Sequence, residues 1–78
     1  MRVEVIVRLK NGVLDPQGKA IHNALESLGH TNIQDVNVGK AIILEIDSKE
    51  TQEVKKQVQL MCETLLANTV IEDYQIKL

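Results

Sequence analysis

Aromatic side chains are nearly missing from these 78 residues: Tyr74 stands alone, with no Trp or Phe. That removes the platforms on which proteins stack unpaired bases. Basic residues are not in excess either, since nine Lys and Arg face eleven Asp and Glu for a formal net charge of −2. A chain built to neutralise a phosphate backbone carries the opposite balance, so no nucleic-acid partner is expected. A single cysteine, Cys62, cannot close an internal disulfide. Apolar runs stop at about four residues, far short of the ~20 that a membrane span needs. Met1-Arg2 opens straight into alternating sequence rather than an apolar leader. These features together read as a cytoplasmic protein with a reduced thiol and no membrane contact.

What is present is aliphatic and strongly patterned. At this length the chain is one domain, 1–78, able to bury roughly 60 to 65% of its unfolded surface. With so thin a core, association between copies is a common remedy. From Arg2 to Lys10, Val3, Val5, Val7 and Leu9 alternate with Arg2, Glu4, Ile6, Arg8 and Lys10, which predicts a half-buried strand. Asp15-Pro16 is a helix start, and Ile21, Ala24, Leu25 and Leu28 form one stripe ending at Gly29. Gly18 is out of place in the first turn, where Ala is favoured by roughly 1 kcal/mol, and points to a backbone or partner surface coming close, or to a bend in the turn.

Residues 33 to 46 read as extended and break at Gly39-Lys40, giving a hairpin there or one strand bent at the glycine. Asp47 and Glu50 have capping-box spacing, with Ser48 able to take the role one residue on. Val54, Val58, Met61 and Leu65, with Cys62 alongside, then mark an amphipathic helix that Asn68 can close. Val70 to Leu78 alternates as a last strand. The order strand, helix, strand, strand, helix, strand predicts an α+β, ferredoxin-like β-α-β-β-α-β sandwich: an antiparallel sheet with two helices on one face. Period two then sends Ile6, Ile43 and Ile71 to the helix-free face. An isoleucine cluster there predicts self-association through that face.

Chemistry is sparse. Cys62 lies on an apolar stripe and reads as a packed thiol. His22 and His30 have no partners at metal-ligand spacing and read as solvated. Ser27 and Ser48 lack a base or oxyanion motif. No catalytic, cofactor or metal residue is expected in this chain. A helix start flanked by Lys10, Lys19 and Lys40 is able to receive an anion or a partner's carboxylate.

Four segments carry a resemblance: Val-Leu-Asp-Pro-Gln-Gly-Lys-Ala-Ile at 13 to 21, Ala-Leu-Glu-Ser-Leu-Gly at 24 to 29, Val-Gly-Lys-Ala-Ile at 38 to 42, and Met-Cys-Glu-Thr-Leu-Leu-Ala-Asn-Thr-Val-Ile-Glu-Asp-Tyr at 61 to 74. In order and spacing the chain resembles the PurS family, the small subunit of phosphoribosylformylglycinamidine synthase, although Thr69 stands where the family often has Pro. The resemblance implies a non-catalytic subunit of an ATP- and glutamine-dependent ligase of purine biosynthesis. It implies a homodimer bridging a glutaminase subunit and a synthetase subunit, with ATP and magnesium used by the synthetase and ammonia passed between the two. The residues expected to touch those partners are Asp15, Pro16, Gln17, Gly18, Lys19, Gly39 and Lys40; Ile6, Ile43 and Ile71 are expected at the self-association surface. A ferredoxin-like module that binds a small regulatory ligand is the alternative reading.

Overall fold

The alternation at the N-terminus becomes the central strand of the computed structural model, which describes residues 1–78. Strand β1 (Arg2–Leu9) pairs antiparallel with β2 (Gly39–Glu45) on one side and β3 (Glu72–Lys77) on the other, giving the order β2-β1-β3. Helix α1 (Pro16–Ser27) joins β1 to β2, and α2 (Thr51–Met61) with a π-helical turn at Cys62–Leu66 joins β2 to β3. The fold is ferredoxin-like α+β, with three antiparallel strands in the protomer where the pattern suggested four.

The core lies between β1 and α2. Val3, Val5 and Val7 meet Val54, Val58, Cys62 and Ala67, and Ile42, Leu44, Ile46, Tyr74 and Ile76 pack around them, as period two required. Cys62 is a buried packed thiol, and burial pushes its ionisation above the ordinary thiol range.

The missing strand is the stretch 33–38, which is irregular, while Gly39 already pairs with Arg8 inside the ladder. A two-residue hairpin needs positive φ, and among the glycines only Gly12 and Gly29 have it. There is no reversal at Gly39, where β2 begins. A Cβ added at Gly39 would stand 2.7 Å from the Val7 carbonyl oxygen, which is why this ladder position takes glycine.

The capping box at Asp47 and Glu50 does not form. Helix α2 starts later, at Thr51 after Glu50, and the Ser48 hydroxyl instead accepts the Glu50 N–H at 3.2 Å. At its other end the helix widens, with the Ala67 N–H reaching the Cys62 carbonyl at 3.1 Å. The Thr64 hydroxyl donates to the Leu60 carbonyl at 2.8 Å and competes for that acceptor. Widening shifts the apolar phase. Leu65, expected on the buried stripe, is 82% exposed, while Cys62 and Ala67 are buried in its place.

Helix α1 forms as its sequence demands but does not cover the sheet. None of its side chains belongs to the core or packs on it, and Gly18 is its only buried residue. Residues 10–38 instead form an arm projecting from the sheet end where β1 leaves and β2 begins. The radius of gyration is 16.0 Å, where a compact chain of this length has about 11.5 Å. Overall the molecule measures 49 × 23 × 14 Å.

Candidate functional site

The base of the arm is organised by one carboxylate. Asp15 caps α1, its Oδ1 accepting the Gly18 N–H at 2.9 Å, while its Oδ2 accepts the Val38 N–H, also at 2.9 Å. A single side chain thus ties the start of α1 to the segment leading into β2. Gly18 completes the clamp, because an added Cβ would collide with the backbone carbonyl oxygen of Val36. The oddity in the first turn is a close backbone approach within the chain. Farther along, His22 Nε2 lies 2.8 Å from the Ile33 carbonyl oxygen and 3.0 Å from Glu26 Oε1. Both neighbours are acceptors, so Nε2 carries the hydrogen and clasps the same two segments. His22 is therefore a structural clasp rather than a solvated side chain, whereas His30 is exposed. Gly29, at φ +98°, ends the helix.

The expected contact residues fall into two roles. Asp15 and Gly18 are spent inside the arm, and Pro16 is the first helical residue. The side chains of Gln17, Lys19 and Lys40 are exposed and take no part in that clamp. Asp15, Gln17, Gly39 and Lys40 line one open hollow of about 240 Å³, joined by Arg8 and Glu72. Lys19 opens instead on a cleft of about 490 Å³ at the front of the arm, with Lys10, His22 and Asp35. Arg8 and Glu72 escaped the sequence reading because they come from strands far from the helix start. For Arg8 the one signal is the alternation that turns it outward; Glu72 has none, since it shares the phase of Tyr74 and Ile76 on the core side. An external anion is disfavoured at the α1 start, since the chain's own Asp15 carboxylate already holds that place.

Those two backbone donors hold the Asp15 carboxyl below the usual carboxylate range, the Val38 bond contributing most and the Gly18 bond next. A carboxyl whose folded value is depressed stabilises the folded arm fully above pH ~4 and loses that effect as pH falls through the lower value. The Val38 and Gly18 amide resonances should therefore move together with a midpoint below the ordinary aspartate value, and Asp15→Ala should abolish the transition. A midpoint at the ordinary aspartate value would show that the clamp does not form in solution.

On the helix-free face, Ile6 lies opposite Ala41 and diagonal to Ile43, which is 52% exposed. Ile71 precedes β3, its carbonyl accepting the Lys10 N–H at 2.8 Å, and so lies about four positions from Ile6 along β1. The register sets Arg2 across from Glu45, Glu4 across from Lys77, and Arg8 across from Asp73. Charged pairs thus border a small Ile6–Ala41–Ile43 patch that Ile71 does not join.

No polar side chain is buried anywhere in the chain, and no three His, Cys, Asp or Glu side chains gather as a metal cluster would require. No helix is long and apolar enough to cross a membrane. Fold and corner together define a small ferredoxin-like α+β protein with an open hollow at the base of its arm.

The chain belongs to the PurS family of phosphoribosylformylglycinamidine (FGAM) synthase, whose family model matches residues 2–78. It is 50% identical over 74 residues to the FGAM synthase subunit PurS of Bacillus subtilis, covering 95% of this chain and 87% of that one. Among solved structures, PurS of Methanocaldococcus jannaschii, one of the subunits of formylglycinamide ribonucleotide amidotransferase, superposes with a TM-score of 0.86 at 43% identity, covering 97% of this chain and 92% of that one. A chain in the structure of PurLQS from Thermotoga maritima gives a TM-score of 0.88 at 28% identity, covering 97% of this chain and 93% of that one.

Proposed function

We propose that this chain is the docking subunit of a cytoplasmic FGAM synthase, a homodimer that bridges a glutaminase and a synthetase subunit and helps ammonia pass between them. The observation that carries the reading is the similarity across nearly the whole chain to a structure of PurLQS, in which PurS stands with PurL and PurQ. The absence of buried polar side chains accords with it. ATP and magnesium belong to the synthetase in this reading, and this chain holds neither. Ammonia that escapes into water becomes ammonium, which is not a nucleophile. A subunit that seats the two larger partners against each other therefore raises turnover without touching the reacting atoms.

The corner of Gln17 and Lys40 is the surface assigned to the larger subunits. Both side chains are exposed, both border the same hollow, and neither is needed for the clamp. The double variant Gln17→Ala/Lys40→Ala should keep the circular dichroism spectrum of the wild type. It should lower glutamine-dependent FGAM formation in the reconstituted complex about tenfold, as expected when two polar interface contacts worth ~0.7 kcal/mol each are lost. Synthesis supplied directly with ammonium salt should be unaffected. Unchanged glutamine-dependent activity would remove this corner from the interface; unchanged activity with the whole subunit left out would remove the bridging role.

A further inference from the structure

Of the five asparagines in the chain, Asn11 is the one that a glycine follows. Asn23, Asn32, Asn37 and Asn68 precede Ala24, Ile33, Val38 and Thr69. The difference is chemical, because the amide carbon of an asparagine side chain lies within reach of the next residue's backbone nitrogen. Glycine, with no Cβ, leaves that nitrogen least hindered.

Asn11 and Gly12 are the middle of an exposed turn at the foot of the arm, closed by the Val13 N–H on the Lys10 carbonyl at 3.1 Å. The Gly12 N–H donates no hydrogen bond, and a Cβ placed there would meet nothing within 4 Å. With one hydrogen bond holding the turn, opening it far enough for side chain and nitrogen to meet is a local event, not an unfolding. The other asparagines are better guarded. After Asn37 the Val38 N–H is held by Asp15 at 2.9 Å, and the Asn37 amide itself donates to Asp35 at 3.3 Å. The Asn68 side chain accepts the Val70 N–H at 3.2 Å, Asn23 is fixed within α1, and Asn32 faces a β-branched Ile33 whose carbonyl His22 clasps.

We propose that Asn11 is a site of spontaneous deamidation, an irreversible ageing step built into the foot of the arm. The Gly12 nitrogen gives up its proton to water and attacks Cγ of Asn11; the new C–N bond closes a cyclic imide as the old one breaks and the side-chain nitrogen leaves as ammonia. Water then opens the ring at either carbonyl. One opening gives aspartate at position 11, the other isoaspartate, in which the main chain runs through the former side chain. Isoaspartate adds one methylene to the backbone inside the loop that the Val13 to Lys10 bond closes, so that bond is lost. Either product places a new carboxylate beside the cleft that Lys10 and Lys19 border, a few residues before the Asp15 clamp.

A timed incubation of the native chain in warm neutral buffer tests the proposal. Trypsin cuts after Lys10 and Lys19, so the peptide 11–19 can be followed by chromatography and mass spectrometry against synthetic standards with asparagine, aspartate or isoaspartate at its first position. Acid forms should accumulate at position 11 roughly tenfold or more faster than at any other asparagine, and Gly12→Ala should slow them by a similar factor. A chain unfolded in guanidinium should lose Asn11 at a comparable rate, because the native turn gives little protection. In the aged sample the Val13 amide should exchange faster, in proportion to the isoaspartate formed. A native chain that keeps Asn11 while the unfolded chain loses it would overturn the proposal. So would a Gly12→Ala variant of native circular dichroism that ages as fast as the wild type, and undiminished Val13 protection in the isoaspartyl form would remove the effect on the arm.

Discussion

Val58→Asp should leave the chain unfolded at 25 °C, with Val58→Ala folded but weakened by about 2 kcal/mol in urea denaturation at matched protein concentration. Val58 is fully buried on α2 and belongs to a core of only seven buried residues. Removing two methyl groups forfeits about 0.8 kcal/mol each and leaves a small cavity besides. A domain of 78 residues has roughly 4 to 12 kcal/mol of total stability, so even the milder change takes a large share. The aspartate meets a harsher environment. No polar side chain is buried in this molecule, so there is no partner to receive a carboxylate, and an unpaired buried charge costs several kcal/mol at least. Concentration must be matched because the self-association proposed above would add to apparent stability by mass action. A folded Val58→Asp protein with native melting would mean that the core lies elsewhere.

The parts of this fold that a sequence pattern reveals are those fixed by neighbours along the chain. Alternation from Val3 to Leu9 predicted the central strand and its buried face, and Asp15, Pro16 and Gly29 predicted both ends of α1. Gly18 is legible in a subtler way, since a glycine where alanine is favoured signals an approaching backbone, here that of Val36. What the pattern does not carry is decided by distant contacts. Residues 33–38 have strand composition, but their polar backbone is partly claimed by side chains of the arm: Asp15 takes the Val38 N–H and His22 the Ile33 carbonyl. Leu65 sits at helical spacing but turns out to solvent because five residues, not four, separate Cys62 from its hydrogen-bond donor. Helix α1 has an apolar stripe that looks like core, yet amphipathicity says only that one face wants cover. It does not say which chain provides it.

The family assignment follows from motifs spread along the chain, and the family model matches 2–78. The corner residues divide less cleanly. Nothing in the string Asp15-Pro16-Gln17-Gly18-Lys19 distinguishes a residue bonded within the arm from one free to meet a partner. Val38 and Val36, far along the chain, draw that line by engaging Asp15 and crowding Gly18.

Gly18→Ala is the sharpest probe of that division, and it should disable assembly while leaving the body intact. By helix propensity alone the substitution is favourable, worth roughly 1 kcal/mol in a helix interior. Against this stands the Val36 carbonyl oxygen, a backbone atom that the new methyl group would meet. Making room by overpacking costs about 1 to 3 kcal/mol. Moving the 36–38 segment also breaks the charge-assisted bond from Val38 to the Asp15 carboxylate. The costs exceed the gain, so the arm should detach from its clamp. Because no α1 side chain enters the core, thermal melting of the sheet and α2 should shift little. Amide exchange at Val38 should instead rise by at least tenfold, and glutamine-dependent activity of the reconstituted complex should fall by a similar factor. Combining Gly18→Ala with Asp15→Ala should add little, since both changes undo one clamp. Stronger Val38 protection in Gly18→Ala would show that helix propensity prevails at this position and that the close approach of Val36 is not what selects glycine.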